Sequence, residues 1–303
     1  MGTLTADERE TVSDIRVSFA SVSLAACIFI LCSMLCMRML KTVPARLVFV
    51  LTVTLTGAAI ADILTAAEPS DDSGLCKFQA CLMQFCQISS IFWAVAIAVH
   101  MFLLVKMKVR RTDIHEKVFH AIIWPLSLLS AALPFTTGNY GLAGTWCWIT
   151  EDKTGDIWRF VVFYIPLWLS MLTVFILYIL IIREVRRIYG ESGKGSEEAK
   201  IVRMLVFYPL IFLICWTFPT INRVYQTATD GNELYWLFIL HAMSAPSQGF
   251  LTSMAYGFTP EMRYRFRQSI SSVFPCCGCC APPEPPVDDS SQSSLNLSLT
   301  DDA

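Results

Sequence analysis

The chain has 303 residues, 54% of them apolar and 16% charged, with 23 Lys and Arg set against 25 Asp and Glu for a formal net charge of −2. A soluble protein of this length needs more polar surface than that composition supplies, so a membrane protein is implied. The basic residues sit in short segments between apolar runs, which argues against nucleic-acid binding.

The first 14 residues are polar and acidic and lack the basic start and short apolar core of a cleavable signal peptide. Seven apolar stretches follow, at 17–37, 47–67, 78–105, 118–137, 160–182, 204–222 and 234–260. Each meets or nearly meets the roughly 20 helical residues that a bilayer core requires. The first is expected to act as an uncleaved insertion signal. With the N-terminus outside, Arg38, Lys41 and Arg46, Lys106 to Lys117, Arg183 to Arg203 and Arg263 to Arg267 carry 17 of the 23 basic residues into the cytosol. Arg9, Arg16, Lys77, Lys153, Arg159 and Arg223 stay outside. That bias predicts an external N-terminus and a cytoplasmic C-terminus in the plasma membrane. The expected organisation is an extracellular N-terminus (1–15), a seven-helix bundle (16–260), a cytoplasmic amphipathic helix (261–275), and a cysteine cluster with a disordered tail (276–303).

Within the spans, Asp62 reads as the one formal charge well inside the apolar region. It is either a protonated acid hydrogen-bonded between helices or a hydrated ion or switch site. Prolines at 125, 134, 166, 209, 219 and 246 mark places where helices can bend. Trp216 beside Pro219 is a packing residue or a switch. His100 and His120 read as structural. Six cysteines lie in spans as small packing residues. Cys76 and Cys147 alone reach the external face, where two lone thiols most simply form one disulfide pinning the Trp146, Cys147, Trp148 loop over the third span.

Beyond residue 260, Met262, Phe266, Ile270 and Val273 share one helical face near Arg263, Arg265 and Arg267, the pattern of a helix lying in the interface. Cys276, Cys277, Cys279 and Cys280 just after it are candidate acylation sites, too tightly spaced to wrap a zinc ion well. Ser290, Ser291, Ser293 and Ser294, among acidic residues, are candidate phosphorylation sites for an arrestin-like partner or a kinase, with a plain solvated tail as the alternative. Residues 190–196 read as a flexible linker.

The run Ser89 to Ala98, the Trp146, Cys147, Trp148 loop and Ser247 to Phe250 resemble the cyclic-AMP-receptor-like group of G-protein-coupled receptors. The run Cys215 to Arg223 is similar to the sixth span of the slime-mould cyclic-AMP receptors. The resemblance implies a seven-transmembrane all-α bundle with a short eighth helix, no cofactor and no catalytic residues. It implies an outward-opening pocket for a small molecule, with cyclic AMP a candidate, and a cytoplasmic cavity for a heterotrimeric G protein. Carried onto this chain, Cys76 and Cys147 look like the family disulfide, and Asp62 like the acid of many receptors' second span. Arg159, Asn222, Arg223 and Gln248 are ligand-binding candidates, though topology alone also explains basic residues at helix ends such as Arg159 and Arg223. Arg183, Arg186, Arg187, Lys200 and Arg203 are candidates to face the G protein, with lipid-headgroup anchoring as their competing role. Around His100 no Asp-Arg-Tyr triplet appears, and span seven has no Asn-Pro-x-x-Tyr, which argues against the rhodopsin-like class.

Other classes fit less well. A retinal protein needs a lysine in its seventh span, and 234–260 has none. A metal hydrolase needs His, Asp or Glu ligands gathered at one depth, and no such set is evident, so neither an enzyme nor a metal is expected. A seven-helix transporter, in which Asp62 and the proline breaks serve alternating access, is the competing reading.

Overall fold

Thr5 and Glu8 decide where the first helix begins. The Thr5 hydroxyl accepts from the Glu8 N–H at 3.3 Å, while the Glu8 carboxylate accepts from the Thr5 N–H at 2.8 Å. This reciprocal cap starts helix α1 at Ala6, well ahead of the apolar stretch, and α1 runs Ala6–Cys36 with Arg16 inside it. The computed structural model describes residues 4–67, 70–71, 73–107, 113–189, 207–229 and 233–273. The linker at 190–196, Lys200, Arg203, the cysteines at 276–280 and the tail serines lie outside the described residues.

Helix α2 (Val43–Ile63) has Pro44 in its first turn, where no backbone N–H is missed, and tightens into a 3-10 turn at Leu64–Ala67. Helix α3 spans Gly74–Met107, and α4 (Asp113–Ala132) closes in a second 3-10 turn, Leu133–Thr137. Strands β1 (Tyr140–Ala143) and β2 (Trp146–Ile149) then form an antiparallel hairpin, an element that the all-α expectation lacked. Its tight turn uses Gly144 at φ 75°, a conformation that costs glycine nothing. Helix α5 (Lys153–Arg159) passes through a π turn, Phe160–Tyr164, into α6 (Ile165–Tyr189). Helices α7 (Phe207–Ala228) and α8 (Tyr235–Gly257) carry Pro219 and Pro246 in their interiors.

Five helical segments among the described residues are long and apolar enough to cross a membrane, namely Ala6–Cys36, Val43–Ala67, Gly74–Met107, Ile114–Thr137 and Lys153–Val185. The chain is therefore an α-helical, multi-pass membrane protein. It divides into two compact units, Met1–Ala255 and Tyr256–Ala303. In the second unit, α9 (Pro260–Val273) starts on a proline, with the Thr259 hydroxyl accepting from the Met262 N–H at 3.2 Å and Arg265 paired to Glu261 at 2.9 Å.

In the first unit, close packing depends on small residues. A Cβ on Gly57 of α2 would lie 2.5 Å from the Cys86 Sγ of α3, and one on Gly249 of α8 would lie 2.9 Å from the Cys27 Sγ of α1. A neighbour reaches the proline segment of α8. The Ser23 hydroxyl of α1 donates to the Pro246 carbonyl at 2.5 Å and accepts from the Phe250 N–H at 3.1 Å, two backbone groups one helical turn apart. Where lipid offers no water, such a hydroxyl supplements the backbone's own hydrogen bonding.

Replacing Gly57→Ala should destabilise the purified protein by about 1–3 kcal/mol through overpacking. A Gly57→Ala/Cys86→Ala pair, which removes the clashing sulfur, should recover most of that loss in a thermal melt. Equal melting losses for the single and paired variants would mean that the α2–α3 contact is not sterically tight.

Candidate functional site

The hairpin is the roof of the site, and four separate ties hold it. The Cys76–Cys147 disulfide joins β2 to the first turn of α3, with Cα atoms 5.3 Å apart, as the two-thiol reading expects. The Tyr140 hydroxyl donates to the Ala131 carbonyl at 2.9 Å, and burial pushes that phenol's pKa up. The Leu142 N–H donates to the Asp71 carboxylate at 2.6 Å. The Trp148 indole N–H donates to the Gln84 side-chain carbonyl of α3 at 2.9 Å.

Gln84 does more than hold Trp148. Its amide donates to the Ser130 hydroxyl of α4 at 2.8 Å and to the Val162 carbonyl at 3.2 Å, and Ser130 donates to the same carbonyl at 2.9 Å. Val162 lies in the π turn, whose wider hydrogen-bond pattern leaves carbonyls to be satisfied from elsewhere. At the far end of β2, Arg159 donates to the Ile149 carbonyl through Nε at 2.8 Å and through Nη2, and its Nη1 meets Glu151 at 3.1 Å. With all three nitrogens engaged, Arg159 clamps the hairpin. Beside it, the Thr150 hydroxyl and the backbone N–H groups of the α5 cap hold the Asp152 carboxyl below the usual carboxylate range.

Beneath the hairpin lies an ion pair. Arg16 of α1 donates to the Asp62 carboxylate of α2 through Nε at 2.9 Å and Nη2 at 2.6 Å, both side chains being almost wholly buried. The guanidinium lies 4.0 Å from the Trp146 ring centroid, a cation–π contact with β2. Its Nη1 is buried without a hydrogen-bond partner. The Trp146 ring in turn meets the edge of His241 at 5.7 Å, and His241 lies 3.3 Å from the Asn222 side-chain amide. One helical step on, Arg223 sits 5.0 Å from the Tyr164 ring centroid, with its Nε also buried and unpartnered.

Three small cavities run through this polar column. The outermost is lined by Glu151, Arg159, Tyr164, Asn222, Arg223 and His241, among others. The middle one is lined by Arg16, Trp146, Trp148, Tyr164, Trp216 and His241, so the two share four walls. The innermost is lined by Asp62, Gln87, Ser90, Trp216, Gln248 and Gly249. Each has room for about one or two waters, so the site is narrow.

The structure brings Arg159, Asn222 and Arg223 together on the outermost cavity. It sets Gln248 apart, on the innermost, where its carbonyl accepts from the Trp216 indole N–H at 2.9 Å. Trp216 also packs on Phe163 at 5.4 Å, with Pro219 one turn further along α7 on the wall of the middle cavity. Asp62 is held by an internal cation, which neither expected role included. Arg16 itself is the residue that sequence reasoning missed, since it was assigned to the external flank. The signal was present in the Thr5-x-x-Glu8 cap, which starts the helix early enough to place Arg16 more than two turns inside it. At the opposite end of the bundle, Lys106 of α3 pairs with Glu184 of α6 at 2.9 Å, and Arg46 of α2 pairs with Glu116 of α4 at 2.6 Å. Arg183 and Arg187 are exposed there; the Arg186 side chain lies outside the described residues. No group of three or more metal-ligating residues occurs among the described residues.

These features define a multi-pass helical membrane protein with a narrow, arginine-lined cavity under a disulfide-pinned hairpin. The model of the slime mold cyclic AMP receptor family matches residues 4–287, and the chain belongs to that family. It is 28% identical over 286 residues to G-protein coupled receptor 1 of Arabidopsis thaliana, covering 90% of this chain and 86% of the plant protein. It is 25% identical over 218 residues to Cyclic AMP receptor 1 of Dictyostelium discoideum and 29% over 210 residues to Cyclic AMP receptor-like protein B of the same organism. Those matches cover 70% and 67% of this chain but 54% and 46% of the two Dictyostelium proteins. Family membership gives the chain a receptor-type signalling role and a non-enzymatic class.

Substituting Arg16→Gln strands a buried carboxylate and should cost about 3–5 kcal/mol. The paired variant Arg16→Gln/Asp62→Asn, which removes both charges, should melt much closer to the wild type. A paired variant no more stable than Arg16→Gln would show that the loss comes from elsewhere than the stranded charge.

Proposed function

We propose that the chain is a seven-span G-protein-coupled receptor whose hairpin end faces outward and whose cavity takes a small anionic ligand. The carrying observation is the charge balance beneath the hairpin. Of the three guanidinium groups there, Arg16 is paired with Asp62 and Arg159 with Glu151, while Arg223 makes no salt bridge among the described residues, Glu151 and Asp156 acting on it only from beyond ion-pair distance. A buried cation of this kind is stabilised by an anion, and a guanidinium binds phosphate or carboxylate with directional, charge-assisted hydrogen bonds. Arg223 and Asn222 are the ligand contacts on this reading, with Arg159 keeping the hairpin in place. Cyclic AMP is the candidate, since two of the similar Dictyostelium proteins carry that ligand in their names.

The disulfide supports an outward-facing hairpin, because such bonds persist in an oxidising compartment. Helices α7 and α8, of 22 and 23 residues, are then spans six and seven, and α9 is the eighth helix in the membrane interface. The basic flanks, including exposed Arg183 and Arg187, face the cytosol in that orientation. Together with Arg186, Lys200 and Arg203 they form the surface offered to a heterotrimeric G protein. The cysteines at 276–280 would be acylated, and Ser290, Ser291, Ser293 and Ser294 phosphorylated for an arrestin-like protein or kinase. Ligand binding shifts the population of bundle arrangements by its differential affinity, with Trp216 and Pro219 as the place where α7 bends.

The test is nucleotide exchange on a heterotrimeric G protein by the reconstituted full-length chain, with and without cyclic AMP. Exchange should rise with ligand in the wild type, and Arg223→Gln should weaken potency about 10- to 100-fold, the loss expected for one charged hydrogen bond. Undiminished potency in Arg223→Gln would remove that residue from the site. Ligand-dependent uptake into proteoliposomes with no exchange would favour a transporter instead.

A further inference from the structure

We propose that Arg16 is a second, inner binding residue for the anionic ligand, and that the ligand competes with Asp62 for it. The inference rests on the anionic-ligand reading and deepens it. Arg16 lines the middle cavity, which shares Trp146, Trp148, Tyr164 and His241 with the cavity that holds Arg223. Asp62 uses only Nε and Nη2 of the guanidinium, and a single carboxylate oxygen takes both. Nη1 is left buried and unpartnered on a side chain that is 2% exposed.

Burying a guanidinium donor without an acceptor is unfavourable, so a donor left in that state at a cavity wall marks where an acceptor binds. Among the described residues the one other acceptor bonded to the group is Met83 Sδ, 3.8 Å from Nη2, and a thioether is a weak one. Between Arg16 and Arg223 lie Trp146, His241 and Asn222, a strip of ring edges and an amide. An extended anionic ligand could meet Arg223 at one end of that strip and Arg16 Nη1 at the other, while a small oxyanion such as inorganic phosphate would occupy one end. An oxyanion that accepts from Nη1 draws the guanidinium from Asp62 and from the face of Trp146, so occupancy changes the ties of α1 to α2 and to the hairpin together.

Competition gives a result of defined sign. Asp62→Asn removes the competing carboxylate and leaves Arg16 without its internal anion, so anions should bind more tightly, while a role for Arg16 in packing alone predicts no gain. The measurement is the melting temperature of the purified full-length chain, titrated with inorganic phosphate and separately with cyclic AMP at constant ionic strength, with chloride as the balance. The wild type should be stabilised by at least one of the two oxyanions beyond chloride. Asp62→Asn should lower the half-saturating concentration, and Arg16→Gln/Asp62→Asn should raise it about 10-fold or more relative to the wild type, the effect of one lost charged hydrogen bond. Should the double variant fail to fold, Arg16→Lys decides. It keeps a charge opposite Asp62 without the second pair of donors, and it too should bind more weakly. Arg16 is excluded if Arg223→Gln weakens binding while the Arg16 variants match the wild type, or if Asp62→Asn binds no more tightly; either result leaves the anionic-ligand reading standing. No stabilisation of the wild type by either oxyanion would overturn that reading and this inference with it.

Discussion

A guanidinium buried among apolar helices has few places to be, and Arg16 imposes that restriction on everything around it. A charge in this setting is tolerated only where an opposite charge and further contacts compensate the loss of water. Asp62 supplies the charge, Trp146 an aromatic face, and Met83 a polarizable sulfur. Helix α1 otherwise packs chiefly along α2. In its most apolar stretch 28% of residues are buried, against 61% in α3, so much of its surface faces away from the bundle. Polar ties add to that packing, Arg16 near one end and Ser23 further along. These ties reach α2, the hairpin and the proline segment of α8.

The same need to satisfy polar groups without water shows at two irregular helices. Ser23 bonds the backbone of α8 just past Pro246, and the π turn at Phe160–Tyr164 leaves a carbonyl at Val162 that Gln84 and Ser130 fill. The extra residue of the π turn also changes which side chains face inward. Phe163 and Tyr164 are both almost wholly buried, Phe163 against Trp148 and Trp216, Tyr164 beneath Arg223. A regular helix would rotate one of these rings away. The irregularity thus builds a wall of the site, as π turns at functional positions often do.

Charge and cysteine chemistry made part of this readable from the amino-acid sequence. Cys76 and Cys147 paired because they alone among twelve cysteines were assigned to an oxidising face, and Arg159, Asn222 and Arg223 converged because they flank neighbouring helix ends. Arg16 is hidden when a span is counted as an uncharged run. Such a run begins after the last charge, at Val17, and leaves Asp62 without a counter-ion. A lone buried acid is itself a demand for a cation, and the early helix cap was the clue to which one. The hairpin escaped for a different reason. Strands of four residues, Tyr140–Ala143 and Trp146–Ile149, are too short for alternation to register, and their pairing depends on the disulfide and on Gln84, which are distant in the chain. Gln248 was grouped with the arginines because depth along a helix is legible and the bond to Trp216 is not.

A site with room for only one or two waters must widen to admit a larger ligand, and the ties around it are unequal. The β2 strand is fixed to α3 by a covalent bond, and Gln84 holds the hairpin to α3 while bridging α4 and the π turn. On the other side, α7 meets the site through weaker contacts: the Phe163–Trp216 ring contact, the Trp216–Gln248 hydrogen bond and the Arg223–Tyr164 stacking. Each of these is worth on the order of 0.5–2 kcal/mol. Pro219 lies between Trp216 and the pair Asn222–Arg223, where the helix lacks a backbone hydrogen bond. On the proposed reading, widening the cavity costs least as a bend of α7 about Pro219, which would carry Arg223 away from Tyr164 while Trp216 keeps its place against Gln248. The wall tied to α3 bears the disulfide and the wall with weaker ties bears the cation that makes no salt bridge among the described residues, so on that reading the residue that captures an anion is also the one placed to convert its capture into helix movement.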